Sequence, residues 1–203
     1  MTRMSRQSLV LLGCCLLLDC SSSPPMQYHT LKTIAPAMAI ANASNQIVVR
    51  VQPVVIPPEL DRLQLVSRSG PYSVHIADSD RWAAPLEDQV SRVVSDDLSA
   101  RLPPNLVADP NEPATNEPRR LLSIAIADFY SDGTCAATLR ANWTLRNPTG
   151  GSEHGTEQLQ VPASEPCAGA VPAAMSAALA VLSDRLAGMI AGQPAPSNAN
   201  ATR

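Results

Sequence analysis

Aromatic side chains are nearly missing from this 203-residue chain: two Trp, three Tyr and one Phe make up 3% of it. A carbohydrate or nucleobase platform needs several exposed rings, so neither is expected. The core must instead be aliphatic, drawn from a 45% apolar fraction rich in Leu, Val, Ile and Ala. Charge is sparse as well, at 16%, with fifteen Lys and Arg against eighteen Asp and Glu. No basic run is long enough to neutralise a stretch of phosphates, which excludes nucleic acid as a partner. Histidine occurs three times, at His29, His75 and His154, in separate segments. Zinc-protease, paired-cysteine and phosphate-loop signatures are all absent. No catalytic residue, metal ligand or cofactor is therefore expected. The spacing of Asp78 with Asp80 and of Asp96 with Asp97 suits acid–base carboxylates, but a capping turn and a solvated helix face account for them better.

What is present begins with an export signal. Arg3 and Arg6 precede an apolar stretch from Leu9 to Leu18, about ten residues and much shorter than the ~20 that span a bilayer. Asp19, Cys20 and the polar run Ser21 to Pro25 follow, a placement that reads as a bacterial lipoprotein signal with Cys20 as the acylated first residue of the mature chain. A second reading puts the acylated residue at Cys14, after Leu11, Leu12 and Gly13. It leaves only a short apolar region for export. A third, simple secretion, lacks a small-x-small cleavage site near residue 20. Processing at Cys20 removes Cys14 and Cys15 and leaves Cys135 and Cys167 as the two free thiols in an oxidising compartment, which suggests one disulfide; two buried reduced cysteines are the alternative.

Length and nineteen prolines leave room for one globular domain with flanking segments that do not fold. The expected boundaries are a signal peptide over 1–19, a lipidated N-terminus and tether over 20–45, a domain over 46–192 and a disordered tail over 193–203. Within the tether, Tyr28 to Leu31 has the pattern of a short strand. Gln46 to Ile56 reads as a strand stopped by Pro57 and Pro58. Leu63 to Arg68 and Tyr72 to Ile76 form a hairpin around Ser69, Gly70 and Pro71. Trp82, Leu86, Val90, Val93, Val94 and Leu98 recur at helical spacing up to Leu102, before Pro103 and Pro104. Strands follow over Leu121 to Phe129, Ala136 to Arg146 and Gln158 to Val161. A final Ala-rich helix carries Val171, Met175, Leu179, Leu182, Leu186 and Met189. Its apolar stripe imitates a membrane span, yet Ser176, Ser183, Asp184 and Arg185 mark it as a core helix. The order predicts an α+β fold, a largely antiparallel sheet with two amphipathic helices packed on one face.

Two motifs carry a family resemblance. The stretch I-P-P-E-L-D-R-L-Q-L-V-S-R-S-G, from Ile56 to Gly70, is followed by R-W-A-A-P-L, from Arg81 to Leu86, at the expected start of the first helix. Together with the lipoprotein signal and the Tyr28 to Leu31 segment, in that order, they resemble the ABC-type transport auxiliary lipoproteins, the PqiC/YmbA-like family. The departures are Asp19 before the acylated cysteine and Glu59 where a tyrosine is frequent. The resemblance implies a non-catalytic outer-membrane lipoprotein, anchored through palmitate and related acyl chains and facing the periplasm. It implies as partners an MCE-domain periplasmic transporter subunit and its inner-membrane permease complex, which move lipid between inner and outer membranes and maintain membrane integrity. A homo-oligomer is also compatible with it. The expected partner-binding residues are Leu60, Asp61, Arg62 and Gln64, with Pro57, Arg81, Trp82, Pro85 and Leu86 as the structural motif. Leu60 is expected to turn inward and Trp82 to sit in the core with Arg81 beside it; Asp61 and Arg62 either pair locally or present their charges. A general envelope-assembly or pilotin-like lipoprotein is the alternative function.

Overall fold

The computed structural model describes residues 25–109, 112–113, 117–132, 134–163 and 170–192. Cys20, Cys167 and the tail over 193–203 lie outside the described residues. Among the described residues seven strands and two helices follow in the order β1 (Gln27–His29), β2 (Val49–Val51), β3 (Gln64–Gly70), β4 (Ser73–Trp82), α1 (Leu86–Arg101), β5 (Arg120–Ser131), β6 (Ala137–Arg146), β7 (Ser152–Val161) and α2 (Ala170–Ile190). One sheet contains every strand in the order β1-β4-β3-β5-β6-β7, with β2 also paired to β5. The β3–β4, β5–β6 and β6–β7 pairs are antiparallel; β1 with β4, β2 with β5 and β3 with β5 are parallel. The predicted α+β class and mostly antiparallel sheet are therefore observed.

Alternation sets the two faces of the sheet. Leu122, Ile124, Leu139, Ala141 and Leu145 point to one side and are buried, and Thr138, Arg140, Asn142 and Thr144 fall between the buried residues of β6 on the other. Helix α1 buries Leu86, Val90, Val93, Val94 and Leu98 on the covered side and ends in an extended Leu102 before Pro103 and Pro104. Helix α2 differs from the expected one-stripe pattern: Ala173 and Asp184 are the exposed positions along it, and Ser176 and Ser183 are buried. Its apolar composition, with a mean hydropathy of 1.4 over its most apolar window, comes with 67% burial of that window. The alanines let it sit closely between the sheet and α1.

The stretch read as the later part of a tether is what completes this burial. From Leu31 to Ser44 it runs as a strap over the helices, with Leu31 1% exposed. Its N–H groups find side chains placed for them. Leu31 donates to Gln89 Oε1 at 2.9 Å, Lys32 to Ser176 Oγ at 3.1 Å and Ile34 to Asp97 Oδ1 at 3.0 Å. Ser44 donates through both backbone N–H and Oγ to the Ala191 carbonyl at the end of α2. Low periodicity concealed this packing, since a strap satisfies its backbone through distant side chains and needs no repeating pattern.

Two further expectations change. Arg81 and Trp82 close β4, and α1 begins only at Leu86, because Pro85 lacks the N–H that would continue the helix backward and holds an extended ψ of 134°. Asp78 and Asp80 accordingly lie on β4 rather than in a capping turn, and Asp80 Oδ1 sits 2.7 Å from His29 Nε2 on the neighbouring strand. Asp97 is fully buried rather than on a solvated helix face.

Candidate interaction surface

The segment after β2 follows β5, with Val55 donating to the Ile124 carbonyl and accepting from Ile126, and then departs at Pro57. Two successive prolines fix φ and remove two donors, so the chain cannot stay in the ladder. A tight turn forms instead: Leu60 N–H donates to the Pro57 carbonyl at 2.9 Å, Asp61 to Pro58 at 3.2 Å and Arg62 to Leu60 at 2.8 Å. Leu60 turns inward, 6% exposed, and joins the aliphatic core. Asp61 and Arg62 face solvent. Local pairing between them is not what the turn uses; Arg62 Nε donates to the Glu59 carbonyl at 3.1 Å, tying the guanidinium across its own turn. Asp61 is left pointing outward.

Gln64 opens β3 opposite Arg81, which stands opposite Tyr28 on β1. Trp82, 2% exposed, points to the covered face, so Arg81 lies on the other and does not pack with it as a helix neighbour. Its Nε is buried with no hydrogen-bond partner. Pro85 and Leu86 then set the helix start, where Gln89 Nε2 reaches back to the Ala84 carbonyl while its Oε1 holds Leu31. The two motifs thus meet through β3 and β4. The first supplies an outward turn, and the second anchors the strand, helix and strap behind it.

Between the turn and the end of β5 lies a recess of about 340 Å³ including its open mouth, with Leu60, Val66, Val74 and Phe129 among its apolar lining. Its rim is charged. Asp128 Oδ2 accepts from Arg140 Nε at 2.6 Å, while Oδ1 lies 3.5 Å from Arg68 Nη2. The Arg68 guanidinium carbon stands 4.1 Å from the centre of the Tyr130 ring, a cation–π contact. Arg68, Asp128, Tyr130 and Arg140 were not expected from sequence. The signal was there in D-F-Y at Asp128 to Tyr130, where a fully buried Phe129 forces both neighbours to the open face.

The recess and its rim set apolar, charged and aromatic side chains next to one another. Among the described residues no three His, Cys, Asp or Glu side chains converge in a way that could hold a metal ion. His75 and His154 are exposed, and His29 is engaged with Asp80. Among the described residues the strongly displaced acid is Asp97, pushed up to about 6 by burial, against the opposing pull of the Ile34 N–H and the Arg101 guanidinium. It belongs to the strap contacts behind the sheet. There Arg101, 2% exposed, donates to Asp184 Oδ1 at 2.6 Å and to the carbonyls of Ile34, Asp97 and Ala180.

The fold and this surface define a small α+β domain, one sheet face covered by helices and the other open, with a turn fixed by two prolines beside the open face. The family described as the ABC-type transport auxiliary lipoprotein component matches residues 29–191, and the chain belongs to it. Membership implies a lipoprotein anchored to a membrane of the cell envelope and a role auxiliary to transport. No curated protein matches the sequence. A crystal structure of an uncharacterised protein is similar with a TM-score of 0.70 and 19% identity, covering 82% of this chain and 99% of that one. A Xanthomonas campestris protein of family DUF330 is similar with a TM-score of 0.61 and 20% identity, covering 82% and 96%. At these identities the likeness concerns the fold.

Proposed function

We propose that this chain is a non-catalytic accessory subunit of an MCE/ABC-type transporter that moves lipid between the inner and outer membranes. Acylation at Cys20 anchors it to the outer membrane, and the domain faces the periplasm. The observation that carries the reading is the family match over 29–191 together with the turn from Pro57 to Arg62, which buries Leu60 and leaves Asp61 and Arg62 outward. A surface held by two prolines loses little conformational entropy on binding, which suits a docking element. On this reading Leu60 is the internal support, and Asp61, Arg62 and Gln64 meet the MCE-domain subunit, which in turn connects to the inner-membrane permease complex. Self-association, if it accompanies docking, has the outer edge of β7 at its disposal, unpaired among the described residues.

Pairing of Cys135 with Cys167 belongs to the same reading. The Cys135 sulfur is disulfide-bonded, and its backbone occupies a left-handed φ of 64° in the turn between β5 and β6. Closing that loop stabilises the domain by ~3–4 kcal/mol on the chain-entropy account.

A crosslinked pull-down of the full-length lipoprotein from native membranes, with mass spectrometry of its partners and its N-terminal peptide, tests the proposal. Recovery of an MCE-domain protein and an acylated Cys20 is expected, with a marked loss of that recovery in Asp61→Ala/Arg62→Ala and unchanged folding. Recovery of pilus or outer-membrane assembly proteins instead would overturn the transporter role. An unmodified N-terminal peptide would overturn the anchor.

A further inference from the structure

Among the described residues, five of the nine exposed large apolar side chains gather in one region; the others are Ile34 and Met38 on the strap, Val55 beside β5 and Leu63 before β3. Met26, Tyr28, Tyr72, Val74 and Ile76 all belong to β1, its approach, or the β3–β4 hairpin, with exposures of 42%, 67%, 100%, 54% and 40%. The register puts them on or beside one face. Val74 stands opposite Arg68 and Ile76 opposite Val66, and Arg68 lies over Tyr130 on the open face. Tyr28 stands opposite Arg81, on the face away from buried Trp82. At the other end of the same open face, β6 and β7 present Arg140, Asn142, Thr156 and Gln158. A gathering of apolar groups at one end of a largely polar face marks a contact surface.

Chain geometry says what that surface is held against. β1 runs parallel to β4, with Gln27 opposite Asp80, so the chain before Gln27 enters from the direction of the hairpin tip. Cys20 lies seven positions before Gln27, and Ser73 seven positions before Asp80. At ~3.4 Å per residue seven positions reach at most about 24 Å, so an anchor at Cys20 can lie no farther than that from Gln27, a distance comparable to that from Asp80 to the hairpin tip. An anchor at Cys20 therefore holds this end within reach of the bilayer, at high effective concentration. Tyr suits the headgroup level, and Val and Ile suit the boundary below it. Glu59, Asp61, Asp78 and Asp80 offset Arg62, Arg68 and Arg81 in this region, so the attraction is apolar rather than electrostatic.

We propose that the β3–β4 hairpin, through Tyr72, Val74 and Ile76 with Met26 and Tyr28 beside it, seats on the lipid surface to which Cys20 is anchored. This rests on the lipoprotein reading above. It leaves the Asp61 and Arg62 turn free for a protein partner and fixes the domain's orientation at the membrane.

The test uses the acylated, full-length mature protein in vesicles of phosphatidylethanolamine and phosphatidylglycerol. An environment-sensitive fluorophore is attached at Tyr72→Cys, Val74→Cys or, on the far edge, Gln158→Cys, with a labelled wild-type sample as background. The expected result is a blue shift and quenching by shallow spin-labelled lipid at positions 72 and 74, unchanged by raised salt, with neither at 158. Co-flotation with the vesicles but no quenching at 72 and 74 would overturn this inference and leave the lipoprotein reading intact. Equal quenching at all three positions would overturn it too. A shift that grows with protein density and shows no lipid quenching would assign the patch to a second copy instead. Failure to float, with an unacylated N-terminal peptide, would remove the lipoprotein reading itself.

Discussion

The two ends of the sheet alternate apolar and polar residues alike, yet they meet different surroundings. Along β5 and β6 the inward set, Leu122, Ile124, Leu139 and Leu145, is at most 2% exposed under α2, and the outward set of β6 is hydroxyl, amide and guanidinium. Along β4 the alternation has no such cover on the open side, and Val74 and Ile76 remain half in solvent. Alternation alone defines two faces of a strand. Which face is closed depends on what packs there, and the β3–β4 hairpin projects where neither helix reaches across the open side. The end with the larger buried area carries stability; the end with exposed apolar groups is free to carry contacts.

The sharpest way to break this comparison is to truncate one residue in each region. Leu182→Ala, at a fully buried site on α2, is expected to cost about 2–5 kcal/mol in urea unfolding. Tyr72→Ser, at a fully exposed site, should stay within about 0.5 kcal/mol. Comparable losses for the two would mean that the hairpin tip is a packed part of the fold.

A smaller effect is expected at Gly155→Ala on β7. A Cβ built there meets the Trp143 ring at 2.7 Å, so the indole must move or the strands must part, at about 1–3 kcal/mol. Loss of Trp143 fluorescence intensity or a shift in its emission should accompany the destabilisation. An unchanged spectrum and midpoint would show that the close approach of β6 and β7 is not what Gly155 provides.

The remaining effect concerns the strap and is read as a dependence on pH. Burial raises the Asp97 carboxyl from 3.8 to about 6 in the folded chain, so the folded state holds a proton that the unfolded chain releases between those values. Stability from this group is full below pH 4 and is lost as pH rises through about 6. In Asp97→Asn that contribution is absent, so relative to wild type the variant should fare better at pH 7 than at pH 4. An equal difference in stability at the two pH values would place the titration elsewhere.

Local pattern was enough for much of this. The prolines at 57, 58, 103 and 104, the helical spacing from Leu86 to Leu98 and the strand alternation on either side of Asp132 each act over a few residues, and each appears in the structure near its expected place. The inward turn of Leu60 was equally legible, since a lone leucine between Glu59 and Asp61 has one favourable direction. Trp82 misled because its spacing to Leu86 fits a helix as well as it fits a strand end followed by a turn.

The sequence by itself determined the class of fold, the elements that build it and the motifs that place the chain in its family, because periodicity, proline and apolar burial are local properties. Only the tertiary structure decided that residues 31–44 are a strap, that Asp97 and Arg101 are buried partners beneath it, and that Arg68, Asp128, Tyr130 and Arg140 share one face. These depend on separate elements meeting: Ile34 of the strap on Asp97 sixty-three positions later, and Arg68 of β3 on Asp128 of β5 sixty positions later. No local pattern encodes such contacts, because they form only when separate elements pack against one another.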